Sequence, residues 1–180
     1  MYPAPPTPCS IDSRVSGPFH VALFAWALLG FAGVYLGLAK RAYDEMVAQV
    51  SRRTSMTMTR SMAHHPEVQH RVAEMRITLE AAEAYLDRTC DDWSAGVDHG
   101  ALWPLKTIST KHDVVTRAWS VVDTAFDVVG GAGIFKHNRL EQLVRDGHLG
   151  RIHPANPMLT HELVGKMSLG VDPDEQPRWG

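Results

Sequence analysis

Cysteine is almost missing from this sequence: Cys9 and Cys90 are the only two in 180 residues, and neither belongs to a CxxC or Cys/His ligand pair. That scarcity argues against a disulfide framework and a thiolate metal centre, and makes a reducing cytoplasm the expected compartment. Charge of one sign is not in excess either, since the formal net charge is -2. The basic residues are scattered, and no Lys/Arg run is interleaved with aromatics, so nucleic acid is not an expected partner. No alternating run of strand length is present, which removes the β-rich fold classes. With 44% hydrophobic and 21% charged residues, the composition is that of a globular chain able to bury a sizeable core.

What remains is helical periodicity. Residues 1–18 are rich in Pro, Ser and Gly and read as an arm or linker. No basic segment precedes an apolar one there, so a secretory signal is not expected. A bundle domain is expected over 19–170, followed by a polar tail over 171–180. Its first helix runs from 19 to about 52. Pro66 suits the first turn of a second helix over 66–95, where Val68, Val72, Met75, Leu79, Ala82 and Leu86 share one face. A third helix runs from about 102 to 129, with Val114, Val115, Ala118, Val121, Val122, Ala125 and Val129 apolar, and stops at Gly130-Gly131-Ala132-Gly133. Short helices follow near 137–146 and over MLTHELVGKMSL. The fold expected is all-α: an antiparallel bundle, four-helix-bundle-like, of three long helices and two short ones.

The segment 19–39 is almost wholly apolar and ends at Lys40-Arg41. Such a stretch could span a bilayer, and Gly33-x-x-x-Gly37 matches a membrane helix-pairing pattern. The competing reading is a central helix buried on all sides, with Gly30, Gly33 and Gly37 admitting neighbouring backbones. Ala42, Met46 and Val50 carry the apolar stripe onward at spacing four, which suits a bundle.

Four landmarks together point to a family: the Gly/Ala-rich first helix ending in LGLAKRAYDEM, HPEVQHRVAEM opening the second, DVVGGAGIF closing the third, and NRLEQLVRDGHLGRIHP. In this order and spacing, over about residues 20–165, the chain resembles the C-terminal helical domain of the acyl-CoA dehydrogenase superfamily, flavin-dependent monooxygenases of that fold included. The resemblance makes the membrane reading less expected, because the family's first helix is apolar and buried. It implies FAD or FMN as cofactor and a homo-oligomer, dimer or tetramer, in which the flavin reaches a neighbouring subunit. It also implies an N-terminal helical domain and a β domain that this sequence does not contain. A truncated frame, a fragment, or a split enzyme with a separate subunit supplying those domains all fit.

By the same resemblance, Gly130, Gly131 and Gly133 would pack against a partner's flavin nucleotide. Backbone N–H groups approach a pyrophosphate closely where side chains are absent; the competing reading is a glycine C-cap. Gln69 matches the family's Gln early in the second helix. Its phosphate-binding Arg would be Arg53 or Arg60, in a loop whose length differs from the family's. Asp127 stands where the family often has Gln, and a carboxylate there is a poor neighbour for phosphate. Arg145-Asp146 are expected to form an ion pair or a cap. The family's catalytic Glu, counted from that pair, falls on Pro154, and its alternative location on the first helix falls near Ala27 or Leu28. None of these can abstract a proton, so ordinary acyl-CoA dehydrogenation is not supported.

His153 lies at the offset where some monooxygenases of the fold carry a His beside the flavin, and is the candidate catalytic residue. His148 and His161 fall in the same neighbourhood, without metal-ligand spacing. Two functions stay open. One is part of a flavin-dependent oxidoreductase, either a divergent dehydrogenase or monooxygenase-like. The other is a non-catalytic helical oligomerisation module without flavin.

Overall fold

The protein is described by a computed structural model over residues 18–56, 58–173 and 175. The Pro-rich arm, apart from Pro18, and most of the expected tail lie outside the described residues. Five α-helices follow one another: α1 (Pro18–Arg52), α2 (Pro66–Ser94), α3 (Trp103–Val129), α4 (Arg139–His148) and α5 (Pro157–Leu169). Short 3-10 turns stand at 62–64, 100–102, 130–134 and 149–151. Among the described residues there is no strand, only an isolated bridge between Thr54 and Ser61. The all-α expectation holds.

The starts and stops have local causes. Pro66 opens α2 and Pro104 sits in the first turn of α3, where a missing N–H costs nothing. Asn138 and Asn156 cap α4 and α5 by accepting from Leu140 N and Leu159 N. Two boundaries differ from the expectation. Pro18 is already helical, and α4 is shifted about two residues toward the C-terminus because Asn138, not a residue before it, is the cap.

The core forms where α3 lies along α1 and is flanked by α2. Small residues of α1, Ala25, Ala32, Ala39 and Ala42, are all but inaccessible, and the last three share one core cluster with the β-branched stripe Val114, Val121 and Val122 of α3. Met75, Leu79 and Ala82 of α2 complete the interior, and Leu140 of α4 is fully buried beside them. Burying a side chain of this size contributes roughly 1.5–3 kcal/mol.

Two expectations for α1 are corrected. The helix is not buried on all sides: Leu23, Phe24, Trp26 and Val34 are 55–74% exposed. Nor do Gly30, Gly33 and Gly37 admit a neighbouring backbone, since a Cβ at any of them would meet nothing within 4 Å. The close approach is made by the alanines, one face round. By length and composition α1 could cross a membrane, and about a third of its most apolar window is buried in the bundle.

Candidate functional site

The sequence-predicted residues gather at two turns. The first closes α3. Gly130 has φ 67° and ψ −153°, a conformation open to glycine alone, and its N–H is bonded to Phe126 O. From there the chain enters the 3-10 turn 130–134. Gly131 has open space where a side chain would stand, whereas a Cβ on Gly133 would come within 3.0 Å of the Phe126 ring.

Arg53, just past α1, donates from Nη1 to Val129 O at 3.1 Å. Asn138 donates to Ala132 O at 2.9 Å and exchanges two 3.0 Å hydrogen bonds with the Gln49 amide. Side chains from the end of α1 and the start of α4 therefore hold the glycine turn from both sides. Of the expected arginines, Arg53 meets the turn directly. Arg60 is exposed on the 53–61 loop. Gln69 spends its amide on Ala63 O at 3.0 Å, tying α2 to the loop before it.

An open groove of about 420 Å³ runs beside this turn, walled by Met58, Met62, His65, Val68, Arg71 and Asp127. Asp127 is 64% exposed and 3.9 Å from Arg71, a loose ion pair at the groove. Unobstructed backbone at Gly130 and Gly131, with Arg53 and Arg71 close by, is chemically suited to a phosphate. Two carboxylates oppose it, Asp127 and Glu67, the latter 3.6 Å from Arg71 on the same helix, both from exposed positions.

The second turn links α4 to α5. Gly150 is pressed against α1 and α3: a Cβ there would lie 2.8 Å from Val115 and 3.0 Å from Tyr35. This contact lets the chain drop into the groove between the two helices and brings His153 over α1. The His153 ring packs on Phe31 with centroids 3.8 Å apart, and its Nδ1 is buried without a hydrogen-bond partner.

Behind His153, Ala155 takes φ 60°. Its carbonyl accepts from Lys111 Nζ at 3.0 Å and from Thr160 Oγ1 at 3.2 Å. Lys111 is 1% exposed, and burial pushes its pKa down. Pro154, Ala27 and Leu28 bring no ionisable group to this region.

The three histidines grouped by sequence do not converge. His153 lies on Phe31, His148 meets Trp119 edge-on at 5.1 Å, and His161 pairs with His112 of α3. Arg145 pairs back to Glu141 at 3.5 Å on its own helix, not to Asp146. Asp146 instead accepts Leu149 N through its main-chain carbonyl. Sequence reasoning missed Lys111, although its spacing of three and seven from Val114 and Ala118 sets it on the buried face. It missed Asn138 as well, whose position before an amphipathic short helix is a cap signal.

An α1–α2–α3 bundle with a glycine turn ending its third helix and a histidine turn between two short helices defines a class of helical domain. The chain belongs to the family described as acyl-CoA dehydrogenase, C-terminal domain, whose model matches residues 29–157. YdbM of Bacillus subtilis, named for acyl-CoA dehydrogenase, is 29% identical over 86% of this chain and 39% of its own length. Indole-3-acetate monooxygenase of Pseudomonas putida is 28% identical over 83% of this chain and 39% of its own. The solved structure of XiaF from Streptomyces, in complex with FADH2 and glycerol, superimposes with a TM-score of 0.76 at 20% identity. It covers 92% of this chain and 43% of that one. The chain thus spans about two-fifths of the length of the curated relatives it matches.

Proposed function

We propose that this chain is the C-terminal helical domain of a cytoplasmic, homo-oligomeric, flavin-dependent oxidoreductase, with FAD, or else FMN, as cofactor. In this reading His153 stands beside the reactive ring system of one flavin. Gly130, Gly131 and Gly133, with Arg53, Arg60 and Gln69, serve the nucleotide half of a flavin held mainly by a companion subunit. A bound flavin would supply the electron or oxygen chemistry; the chain's residues bind, orient and hydrogen-bond.

The observation that carries the reading is the unpartnered Nδ1 of His153. Leaving a buried polar atom unpaired costs roughly 1–3 kcal/mol. That cost is removed when the ring turns and the nitrogen meets a group from outside the chain, to which an imidazole can donate or from which it can accept. The absence of a carboxylate at Pro154, Ala27 and Leu28 favours monooxygenase-like chemistry over α-proton abstraction from an acyl thioester. Two of the proteins it resembles divide along the same line, one named as a dehydrogenase and one as a monooxygenase.

Reconstitution with FAD and FMN tests the proposal. The purified chain, mixed with the β-domain subunit or fused to it, is expected to retain flavin absorbance after desalting. His153→Ala is expected to keep the flavin and lose turnover.

A second reading, an oligomerisation module without flavin, is favoured by the exposed apolar side chains of α1, Trp26 at 74% above all. A stable oligomer that shows no flavin band under any of these conditions would select it.

A further inference from the structure

A cleft of about 370 Å³ opens between α3, the 149–157 turn and α5. His153 is not among its walls, its ring being turned onto Phe31 of α1. We propose that this cleft is a separate binding site for a small organic anion, a carboxylate or phosphate on a short apolar body, held by His112, His161 and Arg151. The volume is in the range of small-ligand pockets.

The cleft's charge is one-sided. Lys111, His112, Arg151 and His161 line it, and no acidic side chain does. The nearest carboxylates along the chain are engaged elsewhere, Asp113 with Arg117 and Glu162 with Lys166, each at 2.7 Å. Lys111 contributes positive charge from below while its ammonium stays on Ala155 O. Arg151 is pre-oriented, with its guanidinium carbon 5.9 Å from the Trp119 ring centre. Val115, Trp119 and Pro157 supply apolar wall for the body of a ligand.

The two imidazoles explain why an anion, and not a cation, is the fitting occupant. His112 Nε2 and His161 Nε2 are 3.2 Å apart. A hydrogen bond between them needs one N–H and one lone pair, so this geometry excludes protonation of both. An oxyanion that accepts from both nitrogens removes the restriction, and binding then takes up a proton. The histidine pair is short of that proton: burial, then His161, then Lys111 push the His112 pKa down, against the opposing pull of Asp113. A metal ion could use both nitrogens only after one N–H had moved to Nδ1, and Lys111 and Arg151 would repel it.

Titration of the full chain with benzoate and with inorganic phosphate, read by imidazole ring resonances and calorimetry, tests the site. His112 and His161 are expected to shift saturably while His64 does not. Binding should tighten by about tenfold per pH unit for one linked proton between pH 8 and pH 6. His161→Gln, on an exposed position, should weaken it by about tenfold through the lost charge-assisted bond, and Arg151→Gln by a similar factor. The proposal is overturned if neither anion saturates in the millimolar range. It is equally overturned if folded His161→Gln and Arg151→Gln both bind as tightly as the parent, or if Zn²⁺ titrates the histidine pair while the anions do not.

Discussion

Gly130 and Gly131 are neighbours with different reasons to be glycine. At Gly130 the backbone angles admit no side chain without strain, although the space outside is empty. Gly131 has neither constraint. Gly130→Ala should therefore destabilise the chain by about 1–3 kcal/mol, and Gly131→Ala should leave the urea midpoint nearly unchanged. Gly150 is the opposite case, with ordinary angles but no room. An added methyl must move Val115, whose β-branched side chain is stiff, or Tyr35. Gly150→Ala is expected to cost about 1–3 kcal/mol and to alter the fluorescence of Trp119, beside the same turn. The pattern GG-x-G announced a stop in the sequence, but which glycine carries the conformational load depends on φ and ψ, and no residue letter encodes them.

At the scale of elements, the corner between α2 and α3 is fastened by one carboxylate. Asp92, 5% exposed, accepts from His99 at 2.8 Å and pairs with Arg88 at 2.9 Å, and Trp93 meets Trp103 edge-on at 4.8 Å beside it. The His99 hydrogen bond, followed by the charges of Arg88, His99 and Lys106, holds the Asp92 pKa below its ordinary value, against desolvation. Through the acid range the unfolded chain therefore binds more protons than the folded one. The stability from this group is complete above the usual carboxylate pKa of about 4 and is lost as pH falls through the lowered folded value. Asp92→Asn should destabilise the protein at neutral pH, and the gap to the parent should close as denaturation is repeated at successively lower pH.

The helices themselves were legible, because Val68, Met75, Leu79 and Leu86 recur on one face and Pro66 and the glycine run mark boundaries. The inward face of α1 was not. Alanines and glycines both recur along it within an almost unbroken apolar run, and periodicity cannot rank two apolar faces. The Asp92–His99 and Lys111–Ala155 ties were hidden for another reason. They join residues whose closeness arises only once a loop has closed, and Lys111 on a buried face reads as an ordinary polar interruption.

For the whole molecule, the decisive feature is how much of α1 the bundle leaves uncovered. Leu23, Phe24, Trp26 and Val34 form an apolar surface on one helix, and such surfaces favour association. Size-exclusion chromatography with light scattering should show a dimer or tetramer. Trp26→Glu with Val34→Lys should shift it toward monomer while far-UV circular dichroism stays unchanged.

Along α3, the level of Gly150, at Val115, stands 14 residues before Val129, which at 1.5 Å per residue is about 20 Å. The two turns therefore work at a distance, one at the end of the same rod and one at its middle. If each meets a different flavin, every cofactor is clasped by two polypeptides and every polypeptide clasps two cofactors. Occupancy then follows protein concentration as well as flavin concentration, and simple dilution should empty the sites before it unfolds a single helix.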